Sequence, residues 1–455
     1  MRTNPIFLAD GYKPSHALAY PPKMTYMQSY LEARVPETQP ILVYGPQYYI
    51  KEYLSKAIQP HDIEEADAYF KKYFGRGDVF KKDLFEYIVK RHRGYWPIRV
   101  YALPEGTVAK GGDPLMVIES TDPKVPWATN YVETLLSNVW YPTTVATYTY
   151  QMRQVSKKYL EETSDTSKEP WILNTRIHDF GQRGVPDPIV AGLGGSAALI
   201  NSWGTDTLIA HQFIKNYYPD NNSSEILDVS IPATEHSTIT SWNDELAAIN
   251  HWLDLHPTGV IACVMDSNDI NHAIRQYLGI VLKDKILKRD GVLVIRPDSG
   301  DPVMSTLKVF EALWEVFGGT VNSKGYRVLN PKVRMIQGDG IDAIMHEKIL
   351  RNFKLHLISA ENIAFGSGGG LLQKHNRDTY KFAIKCCEVR IGDTVQSVQK
   401  SPKEWNAKGD YIQSFKKSKA GSQITSDMRL IFDTGKLLKQ YTFEEIRRRS
   451  GFYGT

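Results

Sequence analysis

The feature that most constrains this chain is an alternation of short apolar runs and helix-length segments between about residues 172 and 370. One example passes from the run Gly259–Val264, through the helical pattern Ile270–Leu282, to the run Val292–Ile295 and a further helical pattern. Such alternation is typical of parallel βα units. More than four units over roughly 200 residues favour a barrel over a doubly wound sheet. The sequence therefore predicts an α/β fold with an irregular (β/α)8-type barrel.

The segments on either side have a different pattern. Short alternating runs from Ile98 to Glu119, interrupted by Pro and Gly, indicate a β-meander, and strand-like runs return after Tyr380. Helices are expected from an N-cap at Asp62 and from Thr442, and the second ends in three arginines that we expect on a solvated face. We predict that residues 1–140 plus 381–455 form an α+β domain rich in antiparallel strands, and that residues 141–380 form the barrel.

Composition excludes several classes of protein. The chain has 455 residues and a formal charge of +4, which suggests local anion sites more than a nucleic-acid surface. No apolar run approaches the roughly 20 residues of a membrane span, so we expect no membrane insertion. The three cysteines, an odd number without metal-ligand spacing, favour a reducing compartment and a cytoplasmic protein.

Three apolar runs in the second half each end in a polar turn that contains glycine. Because the carboxyl ends of barrel strands converge on one site, exposed backbone N–H groups there can bind phosphate, and acids can hold hydroxyls or a metal ion. Each turn alone is a weak signal, and the three together are a moderate one for a site that binds a phosphorylated sugar. The turns are Arg296–Pro302, Gln337–Gly340 and Gly366–Gly370.

Other polar segments have two possible interpretations when they are considered singly. The loop His178–Gly184 is equally consistent with a structural turn and a functional loop. Asp206 is more often a helix N-cap than a ligand, and His236 more often a core imidazole than a reactive group. Helix capping also explains the acidic turn Asp266–Asp269.

Several common motifs are absent from the sequence. No Gly-x-x-x-x-Gly-Lys-Ser/Thr loop occurs, and no Gly-x-Gly-x-x-Gly opens an N-terminal Rossmann unit, which disfavours P-loop ATPases and dinucleotide dehydrogenases. The absence of Cys-x-x-Cys and His-Glu-x-x-His argues against structural zinc.

Taken in order, these segments resemble the nicotinamide phosphoribosyltransferases, within the type II phosphoribosyltransferase family. The matching set is collinear and spans nearly the whole chain, which makes it far more specific than any single glycine turn. It favours the functional interpretation of Asp206 and His236. The segments are Asp10–Lys13, Tyr44–Tyr48, Pro104–Gly106, His178–Gly184, Gly204–Thr207, Glu235–Thr240, Ile295–Pro302, Ile336–Gly340 and Glu361–Lys374.

The resemblance implies a pentosyltransferase that converts nicotinamide and phosphoribosyl pyrophosphate into nicotinamide mononucleotide and pyrophosphate. It also implies Mg²⁺, held mainly through the substrate diphosphate, and ATP as a phosphoryl donor to His236. A homodimer with active sites at the subunit interface is expected. No protein ligands to the metal can be assigned from the sequence.

The resemblance also assigns roles to individual residues. Phe180 and the partner subunit's Tyr12 would stack on the pyridine ring, and Asp206 would accept the carboxamide N–H. Arg183, His236 and Arg296 would line the diphosphate region, with His236, Arg296 and Asp298 as the catalytic group. The remaining positions are Asp298 and Asp339 at ribose, Gly338, Gly369 and Arg377 at the 5′-phosphate, Gly368 as a further substrate-binding residue, and a second tier of Arg34, Arg176, His178, Glu235 and Asp269.

Some positions depart from the family pattern, and three rival functions stay open. Gln182 replaces an aromatic residue, Arg176 a common Lys, and Met265 a Ser, while Trp405–Asp410 is less basic than in relatives. Nicotinate phosphoribosyltransferase is the nearest rival, and Asp206 argues against it because a carboxylate repels nicotinate. A sugar-phosphate lyase or isomerase would need a Schiff-base Lys or a paired carboxylate base, neither of which is clearly placed. The third rival is a non-enzymatic binding protein.

Overall fold

The computed structural model describes residues 3–220, 227–414 and 417–454. The chain divides into two compact units. The first comprises residues 1–147, 216–221 and 376–451, and the second comprises residues 148–215, 222–375 and 452–455. Like the sequence-based division, this one joins N- and C-terminal segments into a single unit. It places the first boundary within the helix Trp140–Thr163.

The first unit is built on a seven-stranded antiparallel sheet. Its central strand, Met24–Ala33, pairs with Phe382–Ile391 on one side and Pro114–Ser120 on the other. Alternate residues of Ile98–Ala102 are buried, as expected of a strand with one face against a core. In order, the strands are Thr394–Ser397, Phe382–Ile391, Met24–Ala33, Pro114–Ser120, Ile98–Ala102, Arg429–Asp433 and Lys436–Leu437.

Two short antiparallel pairs and several helices complete the first unit. We expected a helix to begin after Asp62. It begins two residues earlier, at Pro60, so Asp62 is the third helical residue, and its side chain accepts from the backbone N–H of Gln59. The pairs are Pro40–Leu42 with Val108–Lys110, and Lys403–Trp405 with Tyr411–Gln413. The helical segments are Pro5–Phe7, Lys13–Leu18, Pro46–Tyr49, Ile50–Leu54, Pro60–Tyr73, Lys82–His92, Ala128–Tyr131, Glu133–Ser137 and Phe443–Arg449.

The terminal helix corrects one expectation. Its three arginines are not all solvated, because Arg447 is buried and its guanidinium lies 4.9 Å from the ring centre of Phe443. Arg449 donates to the backbone carbonyl of Glu105, and Arg448 pairs with Glu444. Arg449 therefore joins this helix to the turn at Glu105, and Arg447 packs against a ring of its own helix.

The second unit contains a six-stranded parallel sheet, which confirms the α/β barrel class. Single parallel bridges join residue 229 to Gly204 and residue 233 to Ala262, so the segment 229–233 links the two edges of the sheet. Buried residues of neighbouring strands, Ala262, Val294 and Ile336, pack together in a core cluster. In order, the strands are Gly204–Thr205, Ile177–Asp179, Ile363–Ser367, Val333–Gln337, Asp290–Arg296 and Thr258–Val264.

Helices follow the barrel strands along the chain. Pro302–Phe317, for example, is capped by the Asp301 side chain and has its Pro at the first helical position, where no N–H is needed. A small hairpin pairs Gly319–Val321 with Arg327–Leu329. The helical segments are Pro170–Asn174, Gln182–Gly184, Pro188–Leu199, Leu208–Tyr217, His236–Thr240, Glu245–Leu255, Ile270–His272, Ala273–Val281, Lys283–Lys288, Pro302–Phe317, Ala343–Leu355, Ala360–Asn362 and Gly369–Leu372.

None of the helices in the described part of the chain combines the length and apolarity that a membrane crossing requires. The three cysteines are free thiols, and Cys263 and Cys387 are buried.

Candidate active site

A cavity of about 780 Å³ opens at the carboxyl ends of the barrel strands, within the second unit. It contains nine of the residues that the sequence predicted for the site, drawn from five separate loops. The predicted residues in its lining are Phe180, Arg183, Asp206, Arg296, Asp298, Gly338, Asp339, Gly368 and Gly369. The lining also includes Gln182, Gly184, Val185, Pro186, Asp187, Pro188 and Gln373.

The Phe180 ring lies against the backbone of a neighbouring strand. A Cβ atom on Gly366 would come within 1.9 Å of this ring, and one on Gly338 within 3.2 Å. The Phe180 N–H donates to the carbonyl of Ser367 at 2.9 Å. Gly366 therefore provides space for an aromatic ring, which corrects its interpretation as part of a phosphate-binding turn.

Asp206 is fixed at the edge of the cavity by two hydrogen bonds. Its backbone N–H donates to the carbonyl of Asp179 at 2.8 Å, and its Oδ1 accepts from the Ser230 hydroxyl at 2.5 Å. The helix that follows begins at Leu208. Helix capping does not explain this residue, because among the described residues its side chain accepts from Ser230 and not from the amino terminus of the helix.

His236 lies within a group of charged side chains at two adjacent strand ends. Its Nε2 is 3.2 Å from Asp266 Oδ1 and its Nδ1 is 3.9 Å from Asp298 Oδ2. Asp298 is also 3.6 Å from an Nη of Arg296. The imidazole is 45% exposed, so it is not a core histidine.

Asp266 organises this group, and capping was the wrong interpretation for it. This side chain is only 6% exposed, and its Oδ2 accepts from the Asp298 N–H at 2.8 Å and the Ser299 hydroxyl at 2.7 Å. Its other oxygen contacts His236. Asp266 thus joins the histidine to the Arg296–Pro302 turn. Only Asp269, at the far end of the same acidic turn, caps a helix, accepting from the N–H groups of Asn271 and His272.

The arginines of the cavity retain unused donors. Arg183 is exposed and has no acidic partner among the described residues, and Arg296 has a buried Nε without an acceptor there. The turn beside them is fixed by Gln337, whose side-chain amide donates to the Asp339 carbonyl at 3.0 Å. This arrangement can bind an anionic group without first breaking strong internal ion pairs.

Burial alters the ionisation of two groups behind the cavity. It raises the pKa of Asp179 to about 6, although the Gly181 N–H that donates to this carboxylate acts in the opposite direction. It lowers the pKa of His178 to about 4, so this ring is neutral near pH 7. The Asp179 side chain stabilises the turn between Phe180 and Arg183 through that Gly181 hydrogen bond.

Two second-tier residues have structural positions. Arg176 is half-buried at the opposite, amino-terminal end of the strands, where it donates to backbone carbonyls of residues 172, 361 and 363. Glu235 is the N-cap residue of the helix His236–Thr240, and its backbone N–H donates to Thr238 Oγ1 at 3.2 Å. Neither residue is in the lining of the cavity.

Three predicted residues, Tyr12, Arg34 and Arg377, belong to the first unit. The Tyr12 side chain is 56% exposed. Burial lowers the pKa of Lys385, and the charges of Arg34, Lys400 and Arg377 add to this effect while Glu133 opposes it. Lys385 and Lys400 are thus part of a basic cluster with Arg34 and Arg377, and the sequence had not singled them out.

The less basic segment Trp405–Asp410 forms the turn of a hairpin. The Asn406 side-chain amide donates to Asp410 Oδ2 at 2.9 Å, and the Asp410 N–H donates back to Asn406 Oδ1 at 2.9 Å. Asp410 is therefore used to close the turn, and Lys408 between them is exposed.

No group of three His, Cys, Asp or Glu side chains in the described residues has the arrangement of a metal site. Mg²⁺ usually retains several waters and binds through one or two carboxylates together with substrate phosphates. Asp298 and Asp339 at the cavity can provide such carboxylates. Mg²⁺ would then be bound together with the substrate phosphates, and not by protein ligands alone.

Comparison with known proteins identifies the family. The model of the "Nicotinate phosphoribosyltransferase (NAPRTase) family" matches residues 175–434, and that of the "Nicotinamide phosphoribosyltransferase, N-terminal domain" matches residues 4–100. A nicotinamide phosphoribosyltransferase of Xanthomonas campestris is 39% identical over 98% of this chain and 97% of its own length. The chain belongs to the nicotinamide phosphoribosyltransferase family. A member from Acinetobacter baylyi is 27% identical over 98% of this chain and 97% of its own.

Solved structures show the same fold beyond the nicotinamide phosphoribosyltransferase family. Nicotinate-nucleotide pyrophosphorylase from Pyrococcus furiosus superposes with a TM-score of 0.57 over 98% of this chain and 94% of its own, at 14% identity. Human nicotinic acid phosphoribosyltransferase gives a TM-score of 0.57 over 97% of this chain and 92% of its own, at 15% identity. At these identities the comparison concerns the fold alone.

Proposed function

We propose that this protein transfers the phosphoribosyl group of phosphoribosyl pyrophosphate to nicotinamide, in the salvage of NAD. The observation that carries the proposal is one cavity that holds the Phe180 ring, the Asp206 carboxylate and two arginines with unused donors. An aromatic ring beside an acceptor fits a flat amide, and the arginines fit a diphosphate. Membership of the nicotinamide phosphoribosyltransferase family agrees with this assignment.

The base is recognised by stacking and by charge. The pyridine ring stacks on the face of Phe180 that is turned away from Gly366, and the partner's Tyr12 covers its other face. Asp206 accepts a carboxamide N–H. Nicotinate would place a second negative charge about 4 Å from Asp206, at a cost of roughly 4 kcal/mol for an effective dielectric near 20, or close to a thousandfold in affinity.

Phosphoribosyl transfer depends on charge compensation and orientation. As pyrophosphate departs, positive charge develops at the anomeric carbon, and Arg183, Arg296 and His236 compensate the leaving diphosphate. Asp298 and Asp339 hold the ribose hydroxyls. The ring nitrogen of nicotinamide attacks with its own lone pair, so no base is needed to deprotonate it. The 5′-phosphate binds at Gly338, Gly368 and Gly369.

Mg²⁺ binds with the substrate diphosphate and neutralises part of its charge. ATP phosphorylates His236 on a ring nitrogen and leaves as ADP. This role is supported by the exposure of the imidazole and by Asp266, which orients the ring through its contact with Nε2. The resulting phosphohistidine adds negative charge beside Arg296.

We further propose that the enzyme acts in the cytoplasm as a homodimer with active sites at the subunit interface. The exposed Tyr12 ring and the basic cluster of Arg34, Arg377, Lys385 and Lys400 support this, because they give the first unit groups that can complete a site for a nucleotide. Light scattering of the purified protein tests the dimer directly, and a monomer would exclude a contribution from a partner's Tyr12.

A product assay tests the main proposal. Purified protein is mixed with phosphoribosyl pyrophosphate and Mg²⁺, with either nicotinamide or nicotinate, in the presence and absence of ATP. We expect nicotinamide mononucleotide, formed faster with ATP, and little product from nicotinate. Product mainly from nicotinate would establish the rival activity, and no product from either base would overturn the proposal.

Replacement of Asp206 by Asn tests how the base is selected. The amide side chain keeps the shape but removes the charge, so nicotinate should become a better substrate and the preference for nicotinamide should fall by about a hundredfold or more. Steady-state kcat/KM for both bases measures this. An unchanged preference in the variant would exclude Asp206 from base selection.

A further inference from the structure

Ser230 contacts the residue proposed to recognise the base, and it was not among the residues predicted from the sequence. Its hydroxyl donates to Asp206 Oδ1 at 2.5 Å. A hydroxyl has one proton to donate and lone pairs that accept. Because the proton is directed at Asp206, the Ser230 oxygen can serve another donor only as an acceptor.

The barrel itself fixes the position of this hydroxyl. Ser230 lies in the segment 229–233, whose ends form parallel bridges with Gly204 and Ala262 at the two edges of the sheet. The Val229 N–H donates to the Trp203 carbonyl at 2.8 Å, and the Val229 carbonyl accepts from the Thr205 N–H at 3.1 Å. Although Ser230 is exposed, its backbone is therefore held between neighbouring strands of the barrel.

Asp206 and Ser230 together form a pair of acceptors. Asp206 Oδ2 has no hydrogen-bond donor among the described residues, and the Ser230 oxygen retains lone pairs. A carboxamide NH₂ group has two protons, which matches two adjacent acceptors. A carboxylate has no proton to donate and needs a hydrogen-bond donor. The Ser230 proton cannot serve it, because that proton is already donated to Asp206.

We propose that Ser230 is a specificity-determining residue, which orients the Asp206 carboxylate and accepts the second N–H of the carboxamide. The inference rests on the proposed function, and it assigns the preference for amide over acid to a pair of residues and not to one carboxylate. The Ser230 proton is unavailable to nicotinate only while the charged Asp206 carboxylate accepts it. The contributions of the two residues are therefore coupled.

Kinetic comparison of variants tests this assignment. We measure kcat and KM for nicotinamide and nicotinate in the wild type, Ser230→Ala and Ser230→Thr. The Ala variant should lower the ratio of kcat/KM for nicotinamide over nicotinate about tenfold, the contribution of one charge-assisted hydrogen bond, mainly through a higher KM for nicotinamide. The Thr variant keeps the hydroxyl and should stay within about threefold of wild type.

A double-mutant cycle and a matched control complete the experiment. On an Asp206→Asn background, Ser230→Ala should change the ratio by less than about twofold, because the charged acceptor is gone. Ser323→Ala removes a similar serine–aspartate hydrogen bond, 2.6 Å to Asp165, which does not involve Asp206, and should leave the ratio unchanged.

The outcomes separate this inference from the proposed function. If wild type makes product but the ratio is unchanged in Ser230→Ala, or falls equally in the Thr variant, the role of Ser230 is wrong. Additive effects in the double mutant would also overturn it. If the Ala variant does not fold, Ser230→Cys, with its weaker donor, carries the same comparison. Failure of wild type to use either base would instead reject the proposed function.

Discussion

The two ends of the barrel use arginine in opposite ways. At the amino-terminal end of the strands, Arg176 is half-buried, and its Nε and one Nη donate to three backbone carbonyls at 2.7–3.1 Å. One Nη of the neighbouring Arg334 likewise donates to three carbonyls. At the carboxyl end, Arg183 is exposed in the cavity with no acidic partner among the described residues. Donors saturated by backbone give an arginine a structural role, and unused donors leave it able to bind an anion.

The electrostatic surroundings of the two ends differ in the same sense. Burial lowers the pKa of Arg176 to about 10, the charge of Arg334 adds to this effect, and Glu361 opposes it. Glu361 itself is buried and accepts from the Ser164 hydroxyl. Charges at this end are compensated within the protein. Those at the cavity are only loosely paired, which suits a site whose ligand brings the opposite charge.

Removal of Arg183 should have the largest effect on activity. Arg183→Ala removes a donor fork from the diphosphate, so we expect kcat/KM to fall by about 10²–10³-fold with little change in melting temperature. Arg275→Ala is the control, since this half-buried arginine pairs with Glu315 at 2.8 Å and is not in the cavity lining. Equal activity of the two variants would contradict the division between structural and ligand-binding arginines.

Replacement of Arg176 should have the opposite effects, a lower stability with little change in activity. Arg176→Met leaves three partly buried carbonyls without their donor, at a cost of about 1–3 kcal/mol each, so unfolding should become easier by roughly 3–9 kcal/mol. Kinetics below the transition should stay within about threefold of wild type. Denaturant unfolding with a matched activity assay measures both quantities. A variant that is stable but inactive would place Arg176 in the active site.

Substitution of Gly366 should weaken binding of the base without destabilising distant parts of the protein. A methyl group here would overlap the Phe180 ring, so Gly366→Ala should raise KM for nicotinamide about tenfold. The control is Gly77→Ala, where the new Cβ would meet only the flexible Lys71 side chain at 3.5 Å. In a Phe180→Leu background, Gly366→Ala should have almost no further effect on KM for nicotinamide. Additive effects of the two substitutions would show that the methyl group does not act by displacing the Phe180 ring.

A buried histidine away from the cavity lining should give a smaller, pH-dependent effect. Burial lowers the pKa of His346 to about 3, so the folded state keeps this ring neutral while the unfolded chain protonates it near pH 6.5. Its stabilising effect is therefore present above pH 6.5 and is lost as the pH falls toward 3. The loss is roughly 2 kcal/mol between pH 7 and pH 5.

Comparison with His346→Gln isolates this titration. The variant has no imidazole to protonate, so its unfolding free energy should depend less on pH between 7 and 5 than that of the wild type. Parallel pH profiles for the two proteins would show that His346 does not titrate in this way.

Sequence patterns predicted those parts of the molecule that depend on local order. The βα alternation gave the barrel class, and turns at strand ends gave most of the cavity lining. The patterns failed where one residue serves another that is distant in the chain. Gly366 makes room for Phe180, and Asp266 accepts from the Asp298 N–H, so local rules of turns and capping misassigned both.

Long-range strand pairing also could not be predicted from local sequence patterns. Tyr30 lies opposite Lys385 in the antiparallel sheet, and this register brings Lys385 into the basic cluster with Arg34. Nothing in either segment alone indicates the other. Ser230 was missed for a similar reason, because its short segment links the edges of the sheet through single bridges and lacks a regular strand pattern.

The most direct test of the central claim is the ratio of kcat/KM for nicotinamide to that for nicotinate in the wild-type protein. The Asp206 carboxylate and the Phe180 ring line the same cavity, and we propose that an amide is accepted there and an acid is repelled. We predict a ratio of roughly a thousand in favour of nicotinamide. A ratio near or below one would contradict the assignment of this end of the barrel as a nicotinamide site.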